Sequence, residues 1–173
     1  TGDRLAEATG VRHKALAPLA GQPLFAHVLR TLRGAATVKR IVVCGLDRRD
    51  AVELGLVDDR QAADLDFVRG ADSPGESAAA AIRELDLAPP LLITTGDHPL
   101  LAAATVDDFC RRSSARDVDA TFGVVPAALV SAAFPAIRRT NYALRDGSFC
   151  GCNLYALLTR AGTSLPAFWM RVE

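Results

Sequence analysis

The sequence predicts an α/β protein of three layers: a mostly parallel sheet, helices on both of its faces, and a late antiparallel hairpin. Three observations carry that prediction. Short β-branched runs alternate with longer segments of helical periodicity through the first two thirds of the chain. The most apolar run, 91–95, stops abruptly on Gly96-Asp97-His98-Pro99. Near the end, Asp146-Gly147 separates two strand-like runs, which is a strong hairpin signal.

Taken in order, residues 23–33 place Leu24, Phe25, Val28, Leu29 and Leu32 on one helical face, and Gly34 stands where a left-handed cap would close the helix. Residues 40–45 (RIVVCG) read as a buried parallel strand and Leu65–Val68 as a weaker one, with a short helix in the polar stretch 47–63 between them. Gly75-Glu76 opens an alanine-rich helix whose Ala78, Ala79, Ile82 and Leu85 share a face and which ends before Pro89-Pro90. That helix delivers the chain into the strand 91–95. Thr105-Val106-Asp107-Asp108 has the spacing of a capping box, with Asp in place of Glu or Gln, and predicts a helix over 106–112. A strand follows at 120–125, and the hairpin joins Tyr142–Leu144 to 149–157 across Arg145-Asp146-Gly147-Ser148.

A chain of 173 residues, half of them hydrophobic, holds one domain with a full core and is short for two. No repeat, low-complexity tract or linker divides it, so 1–173 reads as a single domain. No core strand precedes Gly2-Asp3-Arg4, and the ending SLPAFWMRVE stops inside a helical pattern in which Trp169 reads as core; a continuation at both ends is expected. Lys plus Arg number 20 and Asp plus Glu number 20, so no net field favours nucleic acid or an anionic membrane as partner. No apolar run approaches the roughly 20 residues that span a bilayer and no signal segment opens the chain, which makes the cytoplasm the expected location. Cys44, Cys110, Cys150 and Cys152 are too few and too unevenly placed for a disulfide scaffold, and are expected to be reduced.

In open sheets of this kind, ligands bind outside the carboxyl ends of the parallel strands. Gly96 permits close backbone approach there, Asp97 stands at the rim and Pro99 stiffens the exit. Mg²⁺ is commonly held by one or two carboxylates together with substrate phosphates, so Asp97 is a candidate ligand; the plainer reading is an Asx-turn. His98 beside it reads as a turn residue. Lys14 precedes a short apolar segment and a glycine turn, where a lysine is ordinarily solvated. Ser73, Gly75 and Ser77 lie at a strand-to-helix junction, where backbone N–H groups hold polar ligand atoms or the serines simply cap the helix. Arg138 and Arg139 have the forked geometry for an acceptor phosphate, against a reading as surface charge. Cys150 and Cys152 lack the second pair that a zinc site needs.

Together, KALAPLAGQPL at 14–24, RIVVCG, SPGESAAAAI and TTGDHPLL resemble the nucleotidyltransferase superfamily of Rossmann-like, GT-A type fold, and within it the MobA-like NTP transferases, the group of molybdenum cofactor guanylyltransferase. The resemblance covers about residues 2–157. It implies that Lys14 contacts the nucleotide phosphates and that Asp97, in the D-x-P motif, binds Mg²⁺. It places a second metal ligand at Asn153, sets the Ser73, Gly75 and Ser77 region against the nucleobase and ribose, and leaves Gly2 and Arg4 as remnants of the family's glycine-rich phosphate loop. The implied reaction is transfer of NMP from an NTP, with GTP or CTP favoured, to a phosphorylated small-molecule acceptor with release of pyrophosphate. An acceptor phosphate is already ionised near neutral pH, so the reaction needs positioning and charge neutralisation rather than a strong base. Two other classes stay open: a catalytically inactive nucleotide-binding or partner-binding protein, and a nucleotide-sugar glycosyltransferase. The second normally carries Asp-x-Asp at this strand end, whereas Asp117-Val118-Asp119 here precedes a different strand.

Overall fold

The computed structural model describes residues 4–169. Gly2, expected as part of a phosphate loop, lies outside the described residues, as does the side chain of Trp169.

Helix α1 (Arg4–Thr9) packs against a 3-10 turn at Lys14–Leu16. The turn runs into a small antiparallel ribbon, β1 (Pro18–Leu19) and β2 (Gln22–Pro23). Ala20 and Gly21 close the ribbon at φ 49° and 80°, the pair of positive values a tight hairpin turn demands. Helix α2 (Leu24–Gly34) buries Leu24, Val28 and Leu29, the face its periodicity predicts. The left-handed cap expected at Gly34 does not form: Gly34 is the last helical residue, and Ala35 donates its N–H to the Leu32 carbonyl at 3.3 Å.

Strand β3 (Ile41–Cys44) follows, then α3 (Arg48–Glu53), α4 (Asp59–Ala63) and strand β4 (Leu65–Val68). The polar stretch thus forms two helices instead of one, because each has its own aspartate cap: Asp47 accepts from the Asp50 N–H, and Asp58 with Gln61 makes a complete capping box. Helix α5 (Pro74–Glu84) leads to strand β5 (Leu91–Thr94), which is followed by α6 (Ala103–Ser114), β6 (Ala120–Pro126), α7 (Ala127–Ala133), β7 (Tyr142–Leu144) and β8 (Gly147–Leu157). A 3-10 turn at Gly162–Ser164 and α8 (Leu165–Trp169) complete the described chain.

Helix α6 begins at Ala103, ahead of the capping box read at Thr105, and its N-cap Ala102 makes no side-chain bond. Thr105 lies inside the helix with its N–H on the Ala102 carbonyl at 3.0 Å, and Asp108, the residue the box would pair with it, turns to Arg111 and Arg112 instead. Asp107 is engaged after α2. It accepts from the Ala36 N–H at 3.1 Å, the Thr37 N–H at 2.8 Å and the Thr37 hydroxyl at 2.7 Å, tying the segment after α2 to α6. These bonds hold the Asp107 carboxyl below the usual carboxylate range, the Thr37 hydroxyl contributing most. Helices α1 and α7 have no signal in the periodicity; α7 is apolar nearly all round yet leaves Leu129 exposed.

The described strands form separate hydrogen-bonded sheets: the β1–β2 ribbon, the parallel pair β3–β4, in register from Ile41↔Leu65 to Cys44↔Val68, and an antiparallel sheet of order β5–β8–β6 with β7 also on β8, so the parallel part, expected to dominate, is the smaller one. The antiparallel component extends well beyond the hairpin, because β8 is long enough to pair with β7 at its start, with β6 along much of its length and with β5 at its end. Two buried clusters form the core. One gathers Leu29, Val43, Ala51, Val57, Ala62 and Leu65; the other gathers Ala35, Leu101, Val106 and Leu154. Helix α2 serves both, with Leu29 in the first and Leu32 against the second. Each fully buried aliphatic side chain contributes about 1.5–3 kcal/mol, so α2 anchors the segment carrying Lys14 to both halves of the core. Beyond β3 and β4 the chain ends approach so closely that a Cβ on Gly70 would lie 2.7 Å from the Gly45 Cα, and a residue with a side chain does not fit there.

Candidate active site

The polar residues converge where β5 ends. After Leu91–Thr94 the chain turns through Gly96, which faces Phe25 of α2 and Ala15 of the Lys14 turn; a Cβ there would meet them at 3.4 and 3.7 Å, ordinary packing distances. That packing brings the Lys14 turn onto the strand end. The Lys14 ammonium lies 2.7 Å from Asp97 Oδ2. The Asp97 side chain is 17% exposed and that of Lys14 52%, so a nearly buried carboxylate is held by a half-solvated cation. Burial is the largest single influence on the Asp97 carboxyl and would raise its pKa, but hydrogen bonds from Lys14 and Thr95, with the charge of Lys14, outweigh it and bring the pKa below the ordinary value.

Thr95 connects this pair to the neighbouring strand. Its hydroxyl oxygen accepts from Asn153 Nδ2 at 3.3 Å, and Asn153 reaches it because Thr94 pairs with Leu154 in the β5–β8 ladder. Asn153 adopts φ 53°, a left-handed conformation asparagine tolerates better than most residues. With Nδ2 turned toward Thr95, the amide oxygen remains as a donor to a cation. Asp97, just beyond β5, and Asn153, on β8, each carry an oxygen of the hard type that Mg²⁺ takes, and a divalent ion held there would complete its shell with phosphate oxygens and water. Among the described residues there is no cluster of three or more His, Cys, Asp or Glu side chains able to hold a metal by themselves. The Thr94 hydroxyl is buried beside this site without a partner.

The opposite wall comes from the segment before β7. Arg139 donates to the Gly151 carbonyl at 3.1 Å, and the Tyr142 ring lies over Gly151, 3.5 Å from where a Cβ would stand. His98 forms a turn as read from sequence, its carbonyl accepting from the Leu101 N–H at 3.1 Å, while its Nδ1 is buried without a partner. Burial lowers the His98 pKa; Asp97 opposes the shift and Arg139 adds to it, so the imidazole is neutral at neutral pH. Arg138 and Arg4 are exposed.

At the carboxyl end of β4, the hydroxyls of Ser73 and Ser77 are engaged within the protein. Ser73 Oγ accepts from the Glu76 N–H at 3.1 Å; Ser77 Oγ donates to the Ser73 carbonyl at 2.9 Å and accepts from the Ala71 N–H at 3.0 Å. Gly75 sits in the first turn of α5. The pair Cys150 and Cys152 makes a poor metal site: Cys150 donates its S–H to Asn141 Oδ1 at 3.0 Å, and burial pushes the Cys152 thiol up, toward its protonated form. Thr95 is the site residue that sequence reasoning missed. The only signal for it was the Thr-Thr pair closing the strand, which reads equally well as β-propensity.

With this geometry established, similarity to known proteins is informative. The family model of the MobA-like NTP transferase domain matches residues 2–147, a stretch that contains Lys14 and Asp97 and ends before Asn153. The bifunctional protein GlmU of Burkholderia thailandensis is 34% identical over 129 residues, covering 75% of this chain and 26% of that protein. GlmU of Cupriavidus pinatubonensis is 36% identical over 93 residues, covering 54% of this chain and 20% of that protein. The chain thus spans about a quarter or less of the length of these curated relatives. Among solved structures, a hypothetical transferase from Thermus thermophilus superposes with a TM-score of 0.70 at 27% identity, over 96% of this chain and 66% of that one. A CMP:2-keto-3-deoxy-manno-octonic acid synthetase solved with CTP superposes with a TM-score of 0.62 at 14% identity, over 92% of this chain and 71% of that one; at that identity the shared property is the fold. No helix among the described residues is long and apolar enough to cross a membrane.

Proposed function

Since this chain belongs to the MobA-like NTP transferase family, we propose that it transfers a nucleotidyl group from an NTP to a phosphorylated small-molecule acceptor, with Mg²⁺ on Asp97 and Asn153. The observation that carries this reading is the Lys14–Asp97 pair at the carboxyl end of β5, with Asn153 drawn beside it through Thr95. An acceptor phosphate oxygen attacks the α-phosphorus, the bond from that phosphorus to the bridging oxygen breaks, and pyrophosphate leaves with the electron pair. The bound Mg²⁺ would neutralise phosphate charge and align the triphosphate. Lys14, half-exposed, would turn from Asp97 toward phosphate oxygens and stabilise the negative charge that gathers there. Arg139 supplies a cation on the acceptor side, and the neutral His98 adds a hydrogen-bonding group there without repelling it. Ser73 and Ser77, their hydroxyls engaged in capping, would serve the nucleotide by shaping the loop and through the backbone N–H groups at the start of α5. Arg4 and Arg138 would join from the rim, and the chain would act as one domain.

CTP and GTP are the nucleotides to test first. The protein would be incubated with each NTP, with and without Mg²⁺, and thermal stabilisation compared between wild type and Asp97→Ala. Ligand at about 100 times its dissociation constant adds roughly 2.7 kcal/mol, an easily measured shift. Stabilisation by one NTP that requires both Mg²⁺ and Asp97, followed by pyrophosphate release with a phosphorylated acceptor, is the expected result. Stabilisation without any pyrophosphate release across a panel of sugar phosphates and other phosphate monoesters would favour the inactive nucleotide-binding alternative. No stabilisation by any NTP would refute both.

A further inference from the structure

Away from the β5 end, α2 and the α3–α4 connection line an open cleft of about 480 Å³, large enough for a small organic molecule. Arg30 and Arg33, one helical turn apart on the same face of α2, both line it. Neither forms an ion pair among the described residues, whereas Arg12, Arg40, Arg49, Arg111 and Arg112 each have a carboxylate partner. Both guanidinium groups are instead held by neutral acceptors at the two ends of the cleft. Arg30 donates to the Gln22 side-chain oxygen on β2, and Arg33 donates to the Gln61 carbonyl at 2.8 Å on α4. One nitrogen of each fork is thereby fixed while the remaining N–H donors stay available.

The only carboxylate lining the cleft is Asp58, and its Oδ1 accepts from the Gln61 N–H at 2.7 Å as the cap of α4. Two cations therefore face one anion that already serves a helix terminus. The floor is apolar, made by the buried Leu29, Leu56 and Val57. Pre-positioned, unneutralised arginine forks above an apolar floor are the chemistry that recognises a carboxylate or phosphate on a hydrophobic body. We propose that this cleft is a binding site for a small organic oxyanion, separate from the Lys14–Asp97 site. Its rim is built from Gly21, Gln22 and Pro23, which continue directly from the Lys14 turn, and Leu24 at the head of α2 donates its N–H to the Ala17 carbonyl at 3.0 Å.

The test uses phenyl phosphate, which combines the oxyanion and an apolar ring, titrated into the ¹⁵N-labelled protein while the arginine Nε–H resonances are followed. Saturable shifts of Arg30 and Arg33 with a dissociation constant on the order of 1 mM are expected. They should persist in Lys14→Ala, and binding should weaken at least about tenfold in the Arg30→Gln/Arg33→Gln double variant, as the loss of charge-assisted bonds requires. Arg30→Lys/Arg33→Lys keeps the charge and loses the fork, so it too should bind more weakly. Both arginines are exposed, and circular dichroism verifies that each variant is folded. Absence of saturable shifts, their disappearance in Lys14→Ala, or undiminished binding by either double variant would each overturn the proposal.

Discussion

Replacing Lys14 with Met isolates the electrostatic contribution of the Lys14–Asp97 pair, because methionine keeps much of the side chain's length and apolar stem but not its ammonium. The Asp97 side chain is 17% exposed, so losing the cation leaves a nearly buried carboxylate with only Thr95 and a backbone group to solvate it. A hydrogen bond to a charged group contributes about 1.5–3 kcal/mol, and an exposed ion pair less than about 1 kcal/mol. With Lys14 half-solvated, the loss at pH 7 should fall between these, at about 1–2 kcal/mol. The sign of its pH dependence follows from the direction of the shift. The folded carboxyl lies below its ordinary value of 3.8, so the stabilisation is fully present above that value and is lost as pH falls below it through the depressed pKa. In Lys14→Met, burial becomes the dominant influence and raises the carboxyl instead. Urea unfolding of both proteins between pH 7 and pH 3 should therefore show a stability gap that narrows in acid. A gap of constant size across that range would refute the electrostatic reading and assign the loss to packing of the lysine stem.

Thr95→Val keeps the shape of the strand end but removes the hydroxyl shared by Asp97 and Asn153. The Asp97 carboxyl pKa should rise, read by carboxyl-carbon chemical shifts, and transferase turnover should fall about tenfold as one ligand loses its orientation; an unchanged titration would remove Thr95 from the site. Gly162→Ala would put a Cβ 2.1 Å from the Asp119 carbonyl oxygen, and should cost on the order of 1–3 kcal/mol in chemical denaturation as the backbone shifts to relieve the overlap. Val106→Ala opens space at a residue with 0% exposure in the second core cluster and should destabilise by about 2 kcal/mol, while leaving the nucleotide-induced thermal shift intact.

Asp97 was legible in the sequence because its signal is local: a long apolar run that ends on a glycine and a carboxylate has few structural uses other than a strand meeting a ligand edge. Lys14 was not legible alone. Its loop has no periodicity, and it reaches Asp97 through tertiary packing of Ala15 and Phe25 beside Gly96, which no local pattern shows. Asn153 depends on the register of β8 against β5, a pairing set by residues far apart in the chain. The capping box read at Thr105 failed because the helix already starts at Ala103, and the three donors after α2 that hold Asp107 are announced by no local pattern either. The hairpin and the apolar face of α2 were read correctly because turn chemistry and helical period act over a few residues, although the hairpin closes more tightly than expected, on Arg145-Asp146, with Gly147 already paired to Leu144.

If Mg²⁺ and a nucleotide bind as proposed, the contact between Lys14 and Asp97 would also set the order in which the site can be filled. A divalent ion arriving alone finds a carboxylate whose charge is already cancelled, and a free triphosphate finds an ammonium already engaged. Each by itself must displace an existing partner and leave the other charge stranded. A metal–nucleotide complex carries both charges at once, so cation and anion exchange partners in one step with no stranded charge. On the proposed assignment, the resting site would therefore act as a coincidence detector, responding weakly to either component and strongly to their complex.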